Sequence, residues 1–148
     1  DDHIEALRAL WTQDLPTHHG PFVSFENAIS RPRPAQQPVP ITIGGHTKAA
    51  ARRAGRLGDG FFPGVADRER LADILGVMRA AAEEAGRNPD AIVVSARSDG
   101  IPGPNALDEV KAMADLGVRR IIVPPLAFDP AGMREAFGRF GDEVIARC

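Results

Sequence analysis

Residues 40–62 bring bare backbone up to a helix start, and that arrangement reads directly as chemistry. Ile41-Thr42-Ile43 is a short β-branched run that ends at Gly44-Gly45. His46 and Thr47 then lead into an alanine-rich stretch with the pattern of a helix. A strand, a side-chain-free turn and a helix N-terminus in succession leave N–H groups uncovered beside the positive end of the helix dipole, which suits a phosphate. The third glycine of the dinucleotide fingerprint is missing, and no Gly-Lys-Ser/Thr follows as in a P-loop. Lys48 and Arg52 fall on the first turns of the helix, where a bound anion would draw them in. His46 either donates to that anion or stands in solvent. The turn as a whole is either a phosphate cradle or a tight connection that binds nothing.

Other candidate side chains are fewer. Arg97 and Asp99 follow an apolar strand, and in parallel β/α proteins the C-terminal strand ends carry the site. Arg97 is either a ligand for an oxyanion of cofactor or substrate, or one half of a surface pair with Asp99. His18 and His19 are adjacent, so in an extended segment they point to opposite faces. No cysteine and no third histidine stands at metal-ligand spacing from them, so a metal site is not expected. Ser24, Ser30, Ser95 and Ser98 lack an evident His/Asp partner in the sequence, and no set of nucleophile, base and orienting acid can be assembled. Asp59, between two glycines, reads as a turn former.

These residues need elements to position them. Residues 3–11 read as a helix with Ile4, Leu7, Leu10 and Trp11 on one face. Residues 12–40 hold Pro16, Pro21, Pro32, Pro34, Pro38 and Pro40 and read as irregular, with Phe22, Val23 and Phe25 as a short extended piece. The bland reading of that segment is a connector that packs its two phenylalanines.

Four strand–helix units come next. The first is 41–43 with a helix over 47–57, with Ala50, Ala54 and Leu57 inward. The second is 60–63 with a helix opened by Asp67, its stripe made by Leu71, Ile74, Leu75, Met78 and Ala82. The third is 91–96, apolar enough for a strand buried on both faces, with a helix capped by Asn105 and Leu107, Val110, Met113 and Ala114 inward. The fourth is 120–124 with a helix capped by Asp129, Pro130 in its first turn, and Met133, Phe137, Phe140 and Val144 inward. Alternation of this kind means parallel β/α units with right-handed crossovers. Four units fit either a small open sheet or half of a (β/α)8 barrel.

Composition narrows the partners. The 148 residues suffice for one domain, and a net charge of -2 gives no reason to expect nucleic acid or a membrane surface. Cys148 stands alone, so no intrachain disulfide forms, and a cytoplasmic location is expected. The chain opens without Met inside a helical pattern, which suggests a piece of a longer protein.

The stretch Pro40-Ile-Thr-Ile-Gly-Gly-His-Thr with Ala-Gly-Arg-Leu-Gly-Asp-Gly-Phe-Phe-Pro63 resembles the luciferase-like monooxygenase superfamily, above all its deazaflavin (F420)-dependent branch. Upstream, Ala9-Leu-Trp-Thr and His19-Gly-Pro-Phe are similar to the family. Downstream, Glu83-Glu-Ala-Gly-Arg-Asn-Pro89 and Leu116-Gly-Val-Arg-Arg-Ile-Ile-Val123 extend the likeness. The resemblance implies a (β/α)8 barrel, of which these units are the C-terminal half, in one partial luciferase-like domain over 1–148. It implies F420, with FMN as the alternative, with cofactor phosphate at Gly44, Gly45, His46 and Thr47; Arg97 joins them as a candidate cofactor contact only through its place after a strand. The family reaction is hydride transfer with F420 or oxygen activation on reduced FMN, on a small-molecule substrate. Most of the family's acid/base residues lie in the N-terminal half, so catalytic residues are not assigned. A half barrel has two open edges, so assembly with another copy or a complementary half is expected. The rival reading is a non-catalytic flavin- or phosphate-binding half-barrel that serves as an assembly module. A carboxylate at position 45 is expected to repel the phosphate and leave the fold intact.

Overall fold

In the computed structural model, which describes residues 1–148, the chain divides into two compact units, Asp1–Ile41 and Thr42–Cys148. The first opens with α1 (Asp2–Thr12), which buries Ile4 and Ala6. Beyond this helix the prolines keep most of the unit irregular, but two short strands, β1 (His18–His19) and β2 (Ser24–Phe25), pair antiparallel. The turn between them closes by Gly20 N–H donating to Val23 O at 2.9 Å.

The Asp2 carboxylate anchors this hairpin. Its Oδ1 lies 2.6 Å from His18 Nε2, and its Oδ2 accepts from the N–H groups of Phe22 and Val23, both at 2.9 Å. A methyl at position 20 would overlap that carboxylate, so a larger residue there would displace the anchor. His18 points inward and His19 outward, as alternation requires. Two expectations change. Phe22 is 80% exposed, so the segment does not pack both phenylalanines. Ser24 does have a histidine partner: its Oγ lies 3.1 Å from Nδ1 of His19, directly across the ladder.

The second unit is a parallel sheet in the order β3 (Thr42–Gly44), β4 (Gly60–Phe62), β5 (Val93–Ala96), β6 (Val118–Ile121). Ile43, Phe61, Val94 and Val118 stand side by side in register and are all buried. The opposite face carries Thr42, Gly60 and Val93 in register, and Thr42 and Val93 are exposed there. β5 is therefore covered on one face only at its start, against the expectation from its apolar run. The strand opens at Val93 instead of Ala91, because Ala91 ends a 3-10 turn over 89–91 in which Asn88 Oδ1 accepts from Asp90 N–H.

A helix follows each strand: α2 (Lys48–Leu57), α3 (Arg68–Glu84), α4 (Ala106–Asp115) and α5 (Pro130–Glu143). Thr47, Asp67 and Asp129 accept from N–H groups in the first turns of α2, α3 and α5, as short polar caps do. The stripe on α3 is buried as its spacing predicts.

α2 and α3 approach closely at Gly55, where a Cβ would collide with the backbone carbonyl of Met78 and stand 2.8 Å from Ala82 N. Two arginines then close helix C-termini, where carbonyls lack intrahelical donors. Arg87 donates to the carbonyls of Gly55 and Gly58, at 2.6 and 2.7 Å, at the end of α2. Arg79 donates to the carbonyl of Leu116 at the end of α4.

Several inward positions shift. On α2, Ala51 and Gly55 are buried and Leu57 only partly. On α4, Ala106 and Met113 are buried and Ala114 is exposed, and the Asn105 side chain makes no cap hydrogen bond. On α5, Ala136 is buried and Phe137 is 58% exposed. The last strand runs over 118–121 instead of 120–124, because Val118 pairs with Val94 while Pro124 and Pro125 lack the N–H a ladder needs.

Candidate functional site

In a parallel sheet every loop that follows a strand emerges at the same end, so the ends of β3 to β6 assemble one rim from separate stretches of sequence. Gly44-Gly45-His46-Thr47 follows or ends β3, and Arg97 follows β5. One strand separates them, so they sit about 10 Å apart across the rim by ordinary strand spacing.

The turn after β3 is fixed by three contacts. Gly45 N–H donates to Phe62 O at 3.1 Å, which ties it to the end of β4. Thr47 Oγ1 accepts from Ala50 N–H at 3.2 Å, and Thr47 O accepts from Ala51 N–H at 3.0 Å. The N–H groups of Lys48 and Ala49, the first two of α2, remain as outward donors at the positive end of the helix. Gly45 has φ +131°, a conformation that favours glycine, and a Cβ on it would stand 2.9 Å from the Ala50 methyl. A carboxylate at position 45 would therefore strain the turn as well as repel an anion, and the expected intact fold does not follow. Gly44 differs: a Cβ there meets nothing within 4 Å. Open space over Gly44, two outward donors and a helix dipole fit a phosphate group.

Two of the basic side chains are engaged away from this turn. Lys48 Nζ lies 3.3 Å from Asp73 Oδ2, so in this state it is paired with α3. His46 is exposed. Arg97 pairs with Asp99 at 3.4 Å, and both are exposed, so the surface-pair alternative is the arrangement present.

The rim also contains a group that the sequence pattern does not mark. Ser98, 4% exposed, donates its hydroxyl to Glu109 Oε1 at 2.5 Å and accepts from Gly100 N–H at 3.1 Å. Glu109 Oε2 lies 3.7 Å from Arg68 Nη1 at the start of α3. In the sequence only the apolar neighbours of Glu109 carry a pattern, and nothing local points to its partner.

A parallel sheet with a helix after each strand defines a β/α protein whose loops gather at the C-terminal strand ends. The chain belongs to the luciferase-like monooxygenase family, whose sequence pattern matches residues 1–135. Its four β/α units are the C-terminal half of a (β/α)8 barrel. It superposes on the coenzyme F420 dependent tetrahydromethanopterin reductase from Methanopyrus kandleri with a TM-score of 0.78, covering 99% of this chain and 63% of that one. At 15% identity that likeness is one of fold.

Among curated relatives, an uncharacterized protein of Mycobacterium tuberculosis is 36% identical over 123 residues, 83% of this chain and 41% of that protein. An F420-dependent glucose-6-phosphate dehydrogenase of Nakamurella multipartita is 36% identical over 91 residues, 60% of this chain and 26% of that protein. An FMNH(2)-dependent dimethylsulfone monooxygenase of Pseudomonas putida is 40% identical over 63 residues, 42% of this chain and 17% of that protein. The chain thus spans less than half the length of these curated relatives. No helix is long and apolar enough to cross a membrane.

Proposed function

We propose that this chain supplies the cofactor-phosphate side of a flavin-type oxidoreductase that acts on a small-molecule substrate, with F420 as the cofactor and FMN as the alternative. The observation that carries the reading is the turn at Gly44–Thr47, with open space over Gly44 and outward N–H donors at Lys48 and Ala49. The dehydrogenase relative named for F420 aligns over more of the chain than the monooxygenase relative named for FMNH(2), which is why F420 is preferred.

In this reading the backbone of Gly44, Gly45, His46 and Thr47 receives the phosphate, and the helix dipole of α2 stabilises its charge. Arg97 leaves Asp99 and turns its guanidinium to an oxyanion of the bound molecule, an exchange of one exposed partner for another that costs little. The cofactor, when bound, supplies hydride or electron transfer, and the protein's part is to orient it and exclude water. These residues bind and orient, and no acid or base of the reaction is assigned among them.

Gly44→Asp tests the reading. It adds a carboxylate into open space, so the melting temperature should hold while affinity for F420 falls at least about tenfold, equivalent to about 1.4 kcal/mol. Unchanged affinity in a folded Gly44→Asp chain would remove the phosphate from this turn.

A further inference from the structure

We propose that Ser98 and Glu109 are positioning residues that set the direction of Arg97 at the rim. The inference rests on the reading of Arg97 as an anion ligand. Arg97 itself is exposed, and its one partner is the exposed Asp99. Its neighbour Ser98 is the opposite: buried, with its hydroxyl engaged both as donor and as acceptor. Arg97 and Ser98 are consecutive in the loop that leaves β5, so the inward hydrogen bonds of Ser98 fix the backbone from which the exposed Arg97 side chain departs.

Glu109 is what fixes Ser98. Its carboxylate takes the Ser98 hydroxyl on one oxygen and faces Arg68 on the other, so it joins the loop after β5 to the starts of α3 and α4. The loop also passes within van der Waals reach of it, since a Cβ on Gly100 would stand 3.0 Å from Glu109 Cγ. A buried hydroxyl that loses its acceptor is costly to leave unpaired, so the loop would rearrange instead of keeping Ser98 inward. Sequence alone supplies no reason for a carboxylate at that distance from Ser98 to matter, and the pair has no part in the apolar core.

Two measurements decide the proposal. The first needs no cofactor: amide hydrogen exchange of the full chain, comparing Gly100 and Ile101, whose N–H groups donate to Ser98, with Val94 in the sheet. Ser98→Ala and Glu109→Ala should speed exchange at the two loop amides at least about tenfold relative to Val94. Glu109→Gln, which keeps an acceptor for Ser98, should restore most of the protection. Loop exchange unchanged in both alanine variants overturns the positioning role. The second is the dissociation constant for F420 in Ser98→Ala, Arg97→Ala and the double variant. If Ser98 acts through Arg97, its effect disappears once Arg97 is gone. Fully additive losses overturn the link to Arg97 even if the loop loosens. A wild-type chain that binds neither F420 nor FMN contradicts the proposed function, and the exchange measurement then still decides the positioning claim.

Discussion

Asp2 is the residue whose protonation the fold registers. Its carboxyl titrates below the ordinary range, first because of the hydrogen bond from His18 and then through the N–H groups of Phe22 and Val23, with burial opposing. A depressed folded-state value means the ionised form holds the hairpin. The stabilisation is complete above the unfolded-chain value of about 3.9 and is lost as pH falls through the lower folded value. Amide resonances of His18–Phe25 should therefore broaden or shift together in acid below about pH 4. The Asp2→Asn chain should show no such transition there, and an identical acid transition in that variant would exclude Asp2 as the cause. This anchor was not legible in the sequence, because Asp2 and the hairpin are far apart along the chain. Three of the four expected caps were legible, Asn105 being the exception. Thr47, Asp67 and Asp129 act within three residues of themselves, and local spacing is enough to find them. The partner of Ser24 stayed hidden for the same reason as the anchor: a cross-strand neighbour appears only once the register is known.

At the scale of elements, Gly55 sets how closely α2 and α3 pack. Alanine is the better helix former by about 1 kcal/mol, so propensity alone predicts that Gly55→Ala stabilises. The close approach predicts the reverse. The added methyl would meet the backbone of Met78 and Ala82, which cannot swing aside as a side chain can. Overpacking of this kind costs about 1–3 kcal/mol, so the denaturation midpoint should fall. A raised midpoint would mean that the helices separate without penalty. The sequence revealed four strand–helix units and the buried stripe of α3, because apolar periodicity is repeated over the whole of that helix. Strand ends were less clear. The 3-10 turn at 89–91 and the edge at Val118 depend on which neighbour each strand pairs with. On α5 the exposed Phe137 shows that an apolar residue at the right spacing is not thereby buried. The arginine clamps at Arg79 and Arg87 were invisible for a related reason, since their acceptors are backbone carbonyls on other helices.

At the scale of the whole molecule, β3 and β6 each have one strand neighbour, so the sheet presents two unpaired edges. Open edges associate unless they are covered. We propose that this chain works with a further copy or a complementary half. The measurement is its mass by light scattering during gel filtration. A mass above that of one chain is expected for the isolated protein, and a clean monomer at all concentrations would contradict pairing with a further copy. The class of fold and the location of the rim followed from alternation and from the Gly-Gly turn. The family followed from a likeness that extends along most of the chain.

The claim on which the functional account rests is that this chain holds a deazaflavin by its phosphate. The most direct test is an equilibrium titration of the purified chain with F420, read by fluorescence anisotropy, with FMN as competitor. The account predicts saturable binding of F420 that FMN does not displace and that Gly44→Asp abolishes or weakens at least about tenfold. Absence of saturable binding to either cofactor by a folded chain would contradict it.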